Sequence, residues 1–398
     1  MDTITHGIAG ALIAKAAFGG RDLVSTTEME KRRLSTWALT IGAVFPDSDI
    51  LRDMFSHDPM LIITWHRSIT HSLICLPVWS VILAALTAAV ARWRKWQAPS
   101  FLVLTGIYAV GILSHILLDL LTSFGTMTWS PLEWSRPAWD VLFIIDFTFT
   151  AILLVPQWLA WAYGDPKRVR RRVAVLWVIF TALPVLVSRF GVAVGAPVSS
   201  MAILLITILF AVLFLLPLIR DWGMRVPYAA WNQVGLILAI LYIGAAGYAH
   251  HAALTRVRQF AARQNVEVDA IGALPLPPSL WHWDGLVRAP RGVYEVRLDL
   301  GDDLSARPEN AEVIERTYYP DAFPNSFIDA ARNLREVQEV LWFARFPVTH
   351  FHMEGSDAIV EISDLRFAAL RRERPGSFTY RVRFSPDGQV LSQGWLKP

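Results

Sequence analysis

The sequence predicts an all-α polytopic membrane helix bundle, with six clear helices and two short N-terminal ones, followed by a small α+β soluble domain. Three observations predict it. The 398-residue chain is 54% hydrophobic and only 18% charged, whereas an ordinary soluble chain is about a quarter charged. Its charge is uneven, with 33 Lys, Arg, Asp and Glu in residues 1–250 and 38 in residues 251–398. Several apolar runs also approach about 20 residues, the length of helix that crosses a bilayer. The boundary therefore falls near residue 250, between a membrane-embedded helical domain (1–250) and an extracytoplasmic α+β domain (251–398). The second is long enough to bury its own core. This composition excludes a disordered, collagen-like or disulfide-stapled chain, since Cys75 is the single cysteine. A net charge of +3, scattered along the chain, gives no reason to expect nucleic acid.

Taken in order, the first two apolar stretches are short: Ile4–Gly19 and Leu34–Val44. Ser72–Ala91, Phe101–Leu121, Val141–Tyr163, Val173–Arg189, Met201–Ile219 and Tyr228–Ala249 follow. The opening stretch does not read as a signal peptide, because Asp2 stands where a basic segment belongs and His6 interrupts it. Basic residues alternate by loop. Arg21–Arg33, Arg92–Lys95, Lys167–Arg172 and Arg220–Arg225 hold 14 Lys/Arg, against four (Arg52, Arg67, Arg136 and Arg189) in the intervening loops. The positive-inside rule puts the basic loops in the cytoplasm if all eight stretches cross. The C-terminal domain then lies outside, together with the Phe45–His71 and Thr122–Asp140 loops. Trp residues near the segment ends, such as Trp93, Trp129 and Trp139, read as an interfacial belt.

In the tail, Gly292–Leu300 and Asp357–Ile362 read as strands and Phe327–Phe343 as a helix. Ser377–Phe384 and Gln389–Trp395 form a hairpin about Pro386-Asp387-Gly388. No nucleophile elbow, phosphate loop or His-Glu-x-x-His occurs there.

Ionisable residues inside membrane segments are costly unless paired, hydrated or metal-bound, yet four separate segments supply His or Asp. They are His6; Asp47 and Asp49 in Pro46-Asp47-Ser48-Asp49; His66 and His71 framing His66-Arg67-Ser68-Ile69-Thr70-His71; and His115 with Asp119. In the eight-crossing topology all fall at the non-cytoplasmic end. His115 and Asp119 are four apart and share a helix face. Taken singly, His6 reads as a packing residue and Asp47 as a helix-end cap. Taken together, the set reads as metal ligands: His6, Asp47, Asp49, His66, His71, His115 and Asp119. Imidazole and carboxylate suit zinc, with manganese or iron as alternatives. Seven candidates exceed one tetrahedral site, so one or two ions fit. Asp47 and Asp49 are the candidate catalytic carboxylates. Arg67 is a candidate phosphate clamp, or else an edge arginine paired with Asp. Asp140 and Asp146 are candidates to orient a ligand.

The motifs Thr5-His6, Pro46-Asp47-Ser48-Asp49, His66 to Ser72 and His115-Ile116-Leu117-Leu118-Asp119 resemble the YdjM/YfhP-type inner-membrane metal-dependent hydrolases. That family has been linked to the zinc-dependent phospholipase C-like phosphoesterases. The resemblance covers residues 1–125, and more weakly Arg345-Phe346-Pro347 and Asp364-Leu365-Arg366-Phe367. It implies a metal-dependent hydrolase in a bacterial inner membrane, without naming a substrate. The soluble phospholipases use further His and Glu ligands that have no counterpart here. The resulting expectation is hydrolysis of a phosphoester of a lipid or lipid-linked substrate by metal-activated water. The alternatives are a transporter or ion-handling protein, and a non-catalytic scaffold with a structural metal. Protein partners are not legible.

Overall fold

The structure, a computed structural model, describes residues 1–20, 25–56, 58–193, 199–277, 279–300, 315–367 and 378–396. His57 and residues 21–24 of the first basic loop lie outside them. Asp2 caps α1 (Thr3–Phe18) by accepting the Thr5 N–H, and Ser25 does the same for Glu28 at α2 (Thr26–Val44). Pro46 opens a 3-10 turn over Phe45–Asp49, and the short helices α3 (Ile50–Phe55) and α4 (Leu61–Thr64) follow. A second 3-10 turn, Ile69–His71, leads into α5 (Leu76–Arg94) and α6 (Phe101–Leu120). Next come α7 (Phe147–Tyr163), α8 (Val169–Ala193), α9 (Ser200–Leu215), α10 (Trp222–Arg225) and α11 (Tyr228–Arg263).

Among the described residues four helical stretches are long and apolar enough to cross a membrane: α5, α6, Ser200–Arg225 and α11. The expectation of six clear ones is thus not confirmed, although each of the six stretches contains a helix. The Val141–Tyr163 run becomes helical only at Phe147, because Val141 and Leu142 donate their N–H groups to Leu121 O. In α8, only the stretch between Arg172 and Arg189 is free of charge. The two short expected segments form α1 and α2, with α2 extending back through Glu28–Arg33.

Helices α1, α2 and α6 pack with almost no space between them. A methyl group added at Gly10 would stand 2.5 Å from the Ala43 side chain, and one at Gly111 would stand 2.6 Å from Leu39 O. Small residues of this kind let helix backbones approach in a membrane. They bring the start of α1, the end of α2 and the end of α6 to one place.

The C-terminal part is richer in strands than the α+β expectation. Strands β1 (Ala270–Leu276), β2 (His282–Ala289), β3 (Gly292–Asp299) and β4 (Glu315–Pro320) form one antiparallel sheet, in that order. After helices α12 (Ser326–Arg332) and α13 (Arg335–Phe343), strands β5 (Pro347–Glu354), β6 (Asp357–Asp364), β7 (Thr379–Phe384) and β8 (Val390–Trp395) form a second. The expected Phe327–Phe343 helix is two, broken at Asn333 and Leu334. The Pro386-Asp387-Gly388 turn joins β7 to β8, with Gly388 at φ +86°.

One face of the first sheet, through Trp283, Val287 and Val296, packs on Ala253, Val257 and Phe260 of α11. Its other face meets Phe346, Val348 and Leu365. The second sheet and its helices enclose a core that also takes in Met60 and Ile63 of the α4 segment and Phe124 from the loop after α6. The β domain is thus seated on the loops that carry the candidate site. Arg345 makes a bidentate pair with Asp140 (3.0 and 2.9 Å), and Arg366 donates to Ser123 O.

Candidate metal centre

Asp49, Arg67, His71, His115 and Asp119 are all buried. Helix α6 presents His115 and Asp119 one turn apart, and Gly111, a turn before His115, lets that face meet α2. Contact with α2 fixes the His115 ring, whose Nδ1 lies 2.7 Å from Ala43 O. A carbonyl only accepts, so Nδ1 carries the proton and Nε2 of the neutral ring is a lone pair. His71 is set the same way. Thr70 donates its hydroxyl to Asp49 Oδ2, and His71 Nδ1 lies 3.0 Å from that hydroxyl oxygen. Its Nε2 is then also a lone pair, and the two Nε2 atoms face each other at 3.0 Å.

Two lone pairs at that distance repel unless a proton or a metal cation lies between them. The carboxylates complete the arrangement. His71 Nε2 is 3.5 Å from Asp47 Oδ1 and 3.3 Å from Asp119 Oδ2, and His115 Nε2 is 3.4 Å from each. Four donors bound at about 2.0–2.1 Å around a tetrahedral ion are separated by about 3.3 Å. Five of the six edges therefore match a tetrahedral site. Asp119 Oδ2 is buried and makes no hydrogen bond, as a metal-facing oxygen would. Asp47, His71, His115 and Asp119 thus fit a divalent cation of the zinc type. A second group, Asp47, Asp49 and His66, stands close enough to hold another, with Asp47 common to both.

The surrounding contacts orient these ligands. Thr3 donates to Asp47 Oδ2 at 2.5 Å. Asp49 accepts from the Arg67 N–H at 3.0 Å and lies 3.0 Å from His66 Nδ1. Burial works to raise both carboxyls. His115 and His71 against Asp47, and His66, His71 and the Arg67 N–H against Asp49, outweigh it and hold each below the usual carboxylate range.

Arg67 is committed to Asp119, with Nη2 at 2.9 Å from Oδ1, and its Nη1 donates to Thr122. Its backbone sits in the left-handed region at φ +62°. That conformation costs about 1 kcal/mol for a residue with a side chain. It is held from both sides, since the Arg67 carbonyl accepts from Met127 N–H while its own N–H is tied to Asp49.

His6 is brought to the site but not into either ligand group. It stacks on His115 at 3.6 Å between ring centroids, and its Nε2 meets Asp119 Oδ1 at 3.1 Å. The Met1 amino group meets the same oxygen. Asp140 and Asp146 orient no ligand, because the first pairs with Arg345 and the second caps α7 and accepts from Tyr242.

Sequence reasoning missed Arg136, which donates to the carbonyls of Ile63 and His66 and so fixes the His66 loop. It missed Thr3 as well, and the role of Thr70 in orienting His71. Arg136 sits alone in a Trp-rich loop and has no spacing to mark it. Thr3 and Thr70 adjoin the recognised motifs and were within reach.

No curated protein and no solved structure matches the chain. The YdjM inner membrane protein family matches residues 1–192, which include every ligand described above. The chain is thus a membrane protein, and its N-terminal part, which carries the whole His/Asp cluster, is similar to the YdjM inner membrane protein family.

Proposed function

We propose that this protein is a metal-dependent hydrolase of the bacterial inner membrane, acting on a phosphoester of a lipid or lipid-linked substrate. The observation that carries the reading is the near-tetrahedral set of Asp47, His71, His115 and Asp119, with Asp49 and His66 at its side. The loop charges favour the non-cytoplasmic end of the bundle for this site. A divalent cation bound there supplies Lewis acidity and lowers the pKa of water; zinc suits the donors, with manganese or iron as alternatives.

The chain's own groups divide the remaining work. Arg67 balances the charge of Asp119. Both oxygens of Asp49 are already engaged, by His66 on one side and by the Arg67 N–H and Thr70 on the other. This favours His66, oriented by Asp49, over either carboxylate as the group that takes the proton of the attacking water. The His66 side chain is 17% exposed, against 0% for His71 and His115, so it is the member of the set open to substrate.

A second reading has a specific observation behind it. Four protein donors, three of them buried, also describe a closed structural site. Metal analysis of the detergent-purified full chain, followed by turnover of chromogenic and lipid phosphodiesters, separates the two. The hydrolase reading expects bound metal and chelator-sensitive turnover, both lost in His115→Ala with the helical content kept. Wild-type chain that holds metal but turns over no phosphodiester supports the scaffold. Wild-type chain without stoichiometric metal defeats both.

A further inference from the structure

Large apolar side chains are exposed at the end of the bundle that carries the cluster, outside the candidate spans. Helix α3 starts at the residue after Asp49 and presents Ile50, Leu51 and Phe55, the last 85% exposed. Ile4, 74% exposed, adjoins Thr3, which holds Asp47. In the loop after α6, Trp129, Trp134 and Leu132 are exposed, the last to 77%.

These groups continue a surface that is already apolar. The loop is fastened to the start of α5, since Leu73 N–H donates to Thr128 O at 2.8 Å and the Ser72 hydroxyl to Ser130 O at 2.5 Å. Below that point the outward face of α5 is exposed Val78, Val81, Ile82, Leu86 and Val90, the composition of a lipid-facing span. Arg52, exposed on α3, lies with its guanidinium 4.0 Å over the Trp65 ring. An apolar body with a cation and indole rings at its edge is the pattern of an interfacial segment.

We propose that α3, Ile4 and the Trp129–Trp134 loop are seated in one leaflet of the bilayer, and that the occupant of this apolar rim is lipid acyl chain. The His/Asp cluster then lies at headgroup depth, with Arg52 placed to meet lipid phosphate. The inference stands whether or not the cluster is hydrolytic.

The test uses the full chain in phosphatidylcholine–phosphatidylglycerol vesicles. Nitroxide labels are placed at Phe55→Cys, Leu132→Cys and, as the aqueous reference, Phe323→Cys in the β domain, each in a Cys75→Ser background. Collision with oxygen is compared with collision with a water-soluble nickel chelate. The oxygen-to-nickel ratio is expected to be severalfold higher at 55 and 132 than at 323. Equal ratios at all three overturn the proposal. Should the substituted chains fail to fold, hydroxyl-radical footprinting of the unsubstituted chain in nanodiscs decides. Phe55 and Trp129 are expected to be protected relative to Phe323, and equal oxidation overturns the proposal.

Discussion

Asp119 in the helical bundle and Asp284 in the β domain are both fully buried carboxyls, and their surroundings differ in kind. Around Asp119 stand His6, His71, His115 and Arg67, and the imidazoles of His71 and His115 turn their lone pairs toward the point that one carboxylate oxygen faces. Around Asp284 the titratable neighbour that weighs most is another acid, Glu295, and no cation donates a hydrogen bond to either Asp284 oxygen. Burial and Glu295 push the Asp284 carboxyl well above its ordinary value, against the weaker pull of Arg297. A buried acid therefore keeps its charge where cations or a metal compensate it, and keeps its proton where nothing does. Only the first arrangement makes a site, although both are equally inaccessible to water.

The comparison breaks most readily at His115. His115→Ala removes one of four donors, and the metal affinity is expected to fall by more than the roughly 10–100-fold lost with an orienting partner. Competition with a chromophoric chelator measures it, and Asp284→Asn is the control that leaves affinity unchanged. Retention of full affinity in His115→Ala sinks the assignment of the four donors.

Arg67→Gln tests the next layer. It leaves all four donors in place but deprives Asp119 of its guanidinium. A loss of about 10–100-fold in metal affinity is expected, read by the same titration. An unchanged affinity would mean that Arg67 serves the loop backbone alone.

How much of this was legible follows from the same chemistry. His and Asp within apolar segments are expensive enough to announce themselves, so the residues that converge were all named from the sequence. The i,i+4 spacing of His115 and Asp119 even fixed a shared face. What spacing cannot encode is which ring turns its nitrogen toward the common point. His6 and His71 look equivalent in sequence, yet Thr70 turns His71 into the ligand set and stacking on His115 leaves His6 beside it. The eight strands among the described residues were half hidden for another reason. Buried runs such as Ala270–Leu276, Ala-Ile-Gly-Ala-Leu-Pro-Leu, lack the polar alternation that a half-exposed strand shows. The break at Asn333 was missed because the apolar spacing of Phe327–Phe343 runs on through it.

Asp284→Asn sharpens the other side of the comparison, through stability. An unfolded Asp titrates near about 3.9, and Asp284 in the folded chain titrates well above that. Below the unfolded value both states hold the proton and nothing is lost. As the pH rises, ionisation favours the unfolded chain first, so stability falls until the folded pKa is passed. Asn cannot ionise and escapes this loss. Asp284→Asn is expected to raise β-domain stability by about 2 kcal/mol at neutral pH and to match the parent near pH 4. Hydrogen exchange of β2 and β3 in the full chain measures it, and a pH-independent difference would refute the protonated state.

Asp140 supplies the third and smallest case, and its sign is the reverse. This acid is also buried, but Arg345 meets it with two parallel hydrogen bonds, so removing its charge costs stability where removing the ability of Asp284 to ionise adds it. Its backbone sits at φ +54°, a conformation that Asn tolerates nearly as well as Asp. Asp140→Asn therefore isolates the ion pair from any backbone effect. A bidentate carboxylate–guanidinium pair is strong, but the Arg345 side chain is 33% exposed, and solvent screens what it contributes. A loss of about 1 kcal/mol in the docking of the β domain on the 122–146 loop is expected, read as faster exchange at Phe346 and Val348 with the metal content unchanged. The pair joins the domain to the loop that follows α6, so its weakening is expected to loosen the roof over the cluster before it disturbs any ligand. Metal loss in Asp140→Asn would show instead that the β domain helps to hold the ligand geometry.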